Sequence, residues 1–190
     1  VFVIIMTFIA LYPMVYTLSM SISGAEHVAK NDIFFFPKGF SAQAYKLVFQ
    51  DKEIWGAYMN TLWYTLVGTV LSVALTMISA YPLSRRRFFL RKKLMLFVIF
   101  TMYFSGGLIP MFLLITKIGL YNSRWACIFP YLISAWNLTV CRSFMESIPE
   151  TLEEAASIDG ASPYMIFGKI FLPLSKPILA VMTLFYAVGQ

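Results

Sequence analysis

Four carboxylates, Glu150, Glu153, Glu154 and Asp159, fall within ten positions and lead into Gly160, the densest group of acids in the sequence. Carboxylates placed this way can accept charge-assisted hydrogen bonds from basic groups on a partner, each worth about 1.5–3 kcal/mol. They suit general acid–base work poorly, because Glu153 and Glu154 are neighbours and leave a helix in different directions. No G-x-S-x-G or H-E-x-x-H pattern occurs. Gly168-Lys169 is followed by Ile170, and no glycine stands five positions before Gly168, so no Walker-type phosphate loop is present. His27 is the single histidine and lies outside any Cys or carboxylate cluster at ligand spacing, so no metal site is expected. No catalytic residue, cofactor or enzyme activity is expected from these patterns.

The segment around the acids reads as two short helices joined by a glycine turn. Pro149 suits a first helical position, where its missing N–H costs nothing. Glu150, Glu153 and Glu154 set negative charge near the positive end of that helix. Leu152, Ala155 and Ala156 are spaced to share a face, and alanines there let another backbone approach closely. Gly160 stands where a left-handed residue ends a helix. Ser162 and Pro163 then cap and open a second helix, expected to run to about Leu172 and to be stopped by Pro173.

The rest of the chain is apolar enough to hold this segment at a membrane. Hydrophobic residues make up 59% and charged residues 13%, against about 25% charged in a soluble domain, and the mean hydropathy is +0.74. Charge is absent from residues 1–25, 54–84, 94–116 and 125–141, and a further apolar run starts at Pro177. A bilayer core needs about 20 apolar residues, so these read as four spans and part of a fifth. The first run opens directly at Val1 without a basic lead, and the last is still apolar at Gln190. The chain therefore reads as one transmembrane domain over residues 1–190, incomplete at both ends, with the 146–174 segment as a loop within it.

Arg85, Arg86, Arg87, Arg91, Lys92 and Lys93 crowd one loop with no compensating acid. Such a cluster marks the cytoplasmic side and contacts anionic lipid head groups. Alternation then puts 24–53 and 117–124 outside and 142–176 inside. The net charge of +6 lies in clusters between apolar runs, without the basic and aromatic stripe of a nucleic-acid interface, so no nucleic acid is expected. In the outer segment, Phe34-Phe35-Phe36-Pro37 reads as extended. Ser41 then reads as the cap of a short interfacial helix bearing Tyr45, Leu47, Val48 and Phe49.

Trp136 and Asn137 inside the fourth run are candidates for a substrate path, and Asn60, which with Thr61 begins the core of the second span, is a weaker one. An interhelical hydrogen bond worth roughly 1 kcal/mol is the simpler role for such polar groups. Ser105-Gly106-Gly107 and Pro110 are expected to break the third run near its outer end. Cys127 and Cys141 would stand roughly 21 Å apart on one continuous helix, too far to bridge, and read as buried small hydrophobes.

Written as a pattern, Glu154-Ala155-Ala156, three residues, Gly160, nine residues, Ile170, one residue and Leu172-Pro173 resembles the cytoplasmic signature loop of membrane subunits of binding-protein-dependent ABC importers. The likeness extends over Phe104–Pro110, over Ile118-Gly119-Leu120-Tyr121-Asn122-Ser123 and over Ile148-Pro149-Glu150. It is similar to the carbohydrate-uptake, maltose-permease type, and the Ser-Gly-Gly segment to the subset for oligosaccharides and polysaccharide fragments. The resemblance implies an all-α polytopic bundle of six spans when complete, embedded in the bacterial plasma membrane. It implies a second permease subunit, identical or different, separate ATP-binding subunits, an extracytoplasmic solute-binding protein and a sugar substrate. It implies that Glu154, Ala155, Ala156, Asp159, Gly160, Ile170, Leu172 and Pro173 couple the subunit to the ATPase during alternating access. A permease for another solute is the alternative within that superfamily. A secondary transporter or channel would want ionisable groups within the spans, and the charge-free runs argue against it.

The orientation has a direct check. In a background lacking Cys127 and Cys141, cysteines replacing Arg86 or Ser157 are expected to resist a membrane-impermeant thiol reagent in intact cells, while Lys38→Cys reacts. Labelling of position 86 from outside would reverse the topology.

Overall fold

The computed structural model describes residues 2–189 and contains helices and turns, with no strand among the described residues. The chain divides into two compact units, Val1–Asn60 and Thr61–Gln190, with one long helix crossing the boundary.

In the first unit, α1 (Phe2–Ser21) is apolar on every side and nearly all of its side chains are exposed. A helix hydrophobic all round has lipid or another helix as its solvent. The short α2 (Ala25–Ala29) follows, and the segment after it is pinned back by backbone bonds from Gly24 N to Lys38 O (3.0 Å) and from Ser41 N to Ile22 O (3.0 Å). Asp32 receives His27 Nδ1 at 3.2 Å and Lys38 Nζ at 3.5 Å. The His27 hydrogen bond, helped by the nearby Lys38 charge, holds the Asp32 carboxyl below its usual range. Ser41 does not cap α3 (Gln43–Gln50) as its type suggests. Ala42 occupies the cap position, and the Ser41 hydroxyl accepts from Gln43 N at 3.3 Å one step earlier. Tyr45, Leu47, Val48 and Phe49 are all exposed along α3.

The crossing helix α4 (Lys52–Ser84) carries the second apolar run as one continuous helix of 33 residues. The third run is split as its Ser-Gly-Gly segment predicts: α5 (Arg91–Tyr103) and α6 (Leu108–Lys117) meet at 118°, with Gly107 at φ +84°. Two boundaries differ from the sequence reading. Arg91, Lys92 and Lys93 form the first turn of α5 rather than part of the loop. The fourth run is not a continuous helix: Arg124–Cys127 and Phe129–Tyr131 form two 3₁₀ turns, and α7 (Ala135–Glu146) starts only after Ser134. Pro130 explains the interruption, because a proline inside a helix removes a hydrogen bond and clashes with the preceding turn. Ser134 then provides a fresh start, its hydroxyl accepting from Asn137 N. The break also leaves Cys127 exposed, not buried as expected, while Cys141 on α7 is fully buried; both thiols are free. By length and composition, two helices suffice to cross a bilayer, or four if each of two bent pairs counts as one.

The core of the second unit gathers α4, α7 and the final helix α11 (Lys176–Gly189). Met77, Ala80 and Leu83 from α4 meet Leu138, Cys141 and Met145 from α7 and Ile178, Met182 and Tyr186 from α11. Increasing numbers on α4 track increasing numbers on α7, so the two run in the same direction. The Tyr186 hydroxyl ties the three together, lying 2.7 Å from Thr76 Oγ1 and accepting from Ser134 N at 3.1 Å. Tyr186→Phe leaves that N–H without its acceptor, a loss of about 1–3 kcal/mol. The midpoint of thermal inactivation of the purified intact protein is expected to fall measurably, and an unchanged midpoint would show that Ser134 has another acceptor.

Candidate functional site

The signature segment folds as a hairpin of short helices. Pro149 is the residue just before α8 (Glu150–Ile158), one place earlier than its type suggested, with ψ at 133°. Glu150 and Glu153 lie in the first turn of α8, at the positive end of its dipole. At the other end Gly160 takes φ +83°, which a side chain rarely adopts, and nothing stands within 4 Å of where its Cβ would be. Gly160 N donates to Ser157 O (3.1 Å) and Ala161 N to Ala156 O (2.9 Å), the double closure of a Schellman turn. Ser162 caps α9 (Pro163–Ile166), its hydroxyl accepting from Met165 N, and Pro163 occupies the first turn.

The return arm departs from expectation after α9. Residues Phe167–Phe171 widen into a π turn, in which Leu172 N donates to Phe167 O five residues back. Pro173 therefore does not stop the helix at Leu172. It lies in the first turn of a further short helix, α10 (Leu172–Leu174), where a missing N–H is tolerated. The chain turns at Ser175, and the Pro163–Leu174 arm meets α11 at 79°.

The hairpin has an inner and an outer side. Ile148, Ile166 and Phe171 form a buried cluster, with Ala156, Ala161, Phe167 and Ile170 packed around it. Ala156 thus faces the chain's own interior, whereas the spacing alone grouped it with Leu152 and Ala155 on one outward face. Glu154, Ala155, Asp159, Gly160, Leu172 and Pro173 are exposed. So are two residues that the motif does not specify, Ile158 at 86% and Tyr164 at 88% of their full accessibility. Large apolar side chains standing clear of the surface beside small ones are the ordinary furniture of a docking face.

Arg85 is the group that sequence reasoning misplaced. Read as part of an orientation signal at the lipid head groups, it is instead 5% exposed and packs against the hairpin. Its Nε donates to Ser84 Oγ at 2.9 Å, one terminal nitrogen donates to Ile148 O at 3.4 Å and the other to Met145 O. The guanidinium carbon lies 4.5 Å from the centre of the Phe171 ring. Arg142 makes the reverse connection, from Nε to Leu83 O at 3.0 Å, and also pairs with Glu146. Tyr81 of α4 packs its ring on Phe167 and Phe171 at 5.2 and 4.9 Å. Arg86 reaches Glu150 at 3.8 Å and Arg91 reaches Glu146 at 4.0 Å. The one available signal was position: Arg85 directly follows the serine that ends α4.

Trp136 and Asn137 occupy the first turn of α7, where Trp136 is exposed and Asn137 buried. The structure does not bring them onto one surface. Among the described residues no three His, Cys, Asp or Glu side chains come together to hold a metal ion.

The open space around Gly160 separates two causes of damage at the turn. A β-branched residue strains the backbone by about 1–2 kcal/mol without any clash, whereas asparagine tolerates the left-handed region. Gly160→Val is therefore expected to speed proteolytic cutting of the hairpin in inside-out vesicles, and Gly160→Asn to leave it near the parental rate. Equal rates for both would mean that the positive φ is not what the position demands.

Residues 68–189 match the family described as binding-protein-dependent transport system inner membrane component. The polygalacturonan/rhamnogalacturonan transport system permease protein of Bacillus subtilis (strain 168) is 40% identical, over 98% of this chain and 65% of that protein. The galactooligosaccharides transport system permease protein of the same strain is 36% identical, over 94% of this chain and 65% of that protein. A crystal structure of a bacterial ABC transporter involved in the import of the acidic polysaccharide alginate contains a chain of the same fold. It superposes with a TM-score of 0.93 at 37% identity, over 99% of this chain and 67% of that one. The chain thus spans just under two thirds of the length of these curated relatives.

Proposed function

The chain belongs to the binding-protein-dependent transport system inner membrane component family, and from that membership we propose that it is a membrane-spanning subunit of an ATP-driven importer of a sugar or oligosaccharide. The observation that carries the reading is the two-sided hairpin. Its inner face is held to the core of the second unit through Phe171 and Ala156, and its outer face leaves Ala155, Ile158 and Tyr164 free. A projecting element fixed to the spans on one side and open on the other is what a transmitted motion requires. The names of the relatives, which specify galacturonan-type and galactose oligosaccharides, and the alginate importer support a saccharide as cargo.

In this reading separate ATP-binding subunits grip the outer face of the hairpin. Ala155 allows close approach, Ile158 and Tyr164 fill apolar recesses, and Glu154 and Asp159 accept hydrogen bonds from basic groups. Closure of the ATPase pair displaces the hairpin, and the displacement reaches α4, α7 and α11 through Ile170, Phe171 and the turn at Leu172-Pro173. A second permease subunit completes the pathway, and a solute-binding protein delivers the saccharide from outside.

The test is a bulky residue on the open face. Ala155→Trp in the intact transporter is expected to insert normally, yet to lower co-purification of the ATPase subunit and oligosaccharide uptake by about tenfold or more, the scale of a truncated or blocked interface hot spot. Wild-type uptake with the tryptophan in place would remove the hairpin from the coupling pathway.

A further inference from the structure

We propose that Arg85 is the positioning residue that makes the hairpin and the spans move as one body, so that it sets the stoichiometry of coupling rather than the assembly of the transporter. The proposal rests on the coupling role given to the hairpin above, and it adds the joint through which motion leaves it.

The geometry is that of a three-way joint. Arg85 follows the last residue of α4, donates to Met145 O in α7 and to Ile148 O just beyond it, and lies over the ring of Phe171 in the return arm. Met145 lies in the last turn of α7 and Ile148 at the start of the hairpin's first arm; Phe171 belongs to its second arm. A single side chain therefore touches the spans and both arms of the hairpin.

The chemistry makes the joint cooperative. No carboxylate is paired with Arg85 among the described residues. Its charge is met by neutral groups, the Ser84 hydroxyl, carbonyls at and just after the negative end of a helix, and the face of an aromatic ring. The last two depend on position: if the return arm slides, the ring leaves the guanidinium, and if α7 shifts, the carbonyls do. A buried cation deprived of its compensation is strongly unfavourable, so intermediate arrangements are disfavoured and the three elements shift together. A lysine cannot replace this, because a point charge does not reach two carbonyls and a ring face in one geometry.

The experiment uses the intact transporter in proteoliposomes with its ATPase and solute-binding subunits, measuring oligosaccharide taken up per ATP hydrolysed. Arg85→Lys and Arg85→Gln are expected to retain the bound ATPase subunit and to hydrolyse ATP, with the transport-to-hydrolysis ratio falling about tenfold, within the range of coupling changes made by residues that touch neither ligand. Phe171→Leu, which keeps an apolar side chain but loses the ring face, is expected to lower the ratio severalfold, and Phe171→Trp to restore it. The double variant Arg85→Gln/Phe171→Leu should be no worse than Arg85→Gln alone, since the two act through one contact. If the Arg85 variants fail to accumulate, the Phe171 pair decides the matter, because a packing role would be served by leucine as well as by tryptophan. A normal ratio in Arg85→Lys, or equal ratios in the two Phe171 variants, overturns the proposal. If Ala155→Trp abolishes coupling while Arg85 variants couple normally, the hairpin keeps its role and only this inference fails; if Ala155→Trp is also normal, the underlying reading fails with it.

Discussion

Two helices that end side by side present the electrostatic problem around which the second unit is arranged. The carbonyl ends of α4 and α7 point the same way and meet beneath the hairpin, and each carries the equivalent of about half a negative charge. Left alone they would repel, and their last carbonyls would lack donors. The chain answers with an exchange: Arg142 from α7 donates to Leu83 O at the end of α4, and Arg85 from beyond α4 donates to carbonyls at and after the end of α7. The exchange fixes the relative height of the two helices. That in turn fixes Tyr81 against Phe167 and Phe171, and so the angle at which the hairpin leaves the core.

Much of the hairpin was legible because its determinants are local. The left-handed turn at Gly160, the cap at Ser162 and the acids in the first turn of α8 follow from residue type and spacing, and the structure has all three. The all-helical class followed equally from composition and from runs of bilayer length. What spacing could not supply was direction. Leu152, Ala155 and Ala156 share a stripe on a helical projection, yet only the packing of Ile148, Ile166 and Phe171 decides that Ala156 turns inward. Pro173 misled for a related reason: whether a proline ends a helix depends on the register before it, and the π turn at Phe167–Phe171 resets that register.

The charged loop and the fourth run show where averages fail. A cluster of basic residues has one meaning for topology and another for each side chain. Arg87 is exposed, Arg86 pairs with Glu150, and Arg85 is buried. The charge-free stretch from 125 to 141 has the length of a span and the composition of one, but Pro130 and Ser134 divide it. An irregular backbone at that place is supportable only where protein or water satisfies it, and Tyr186 provides one such partner through Ser134 N.

The partners of Arg85 carry a consequence for conditions. A serine hydroxyl, two carbonyl oxygens and a benzene ring carry no charge to gain or lose, and burial shields them from counterions. The 24–41 segment is different, since Asp32 is held by half-buried His27 and exposed Lys38, ionisable groups that answer to acidity and ionic strength. Acid or high salt is thus expected to loosen the contacts of Asp32 and to leave those of Arg85 in place.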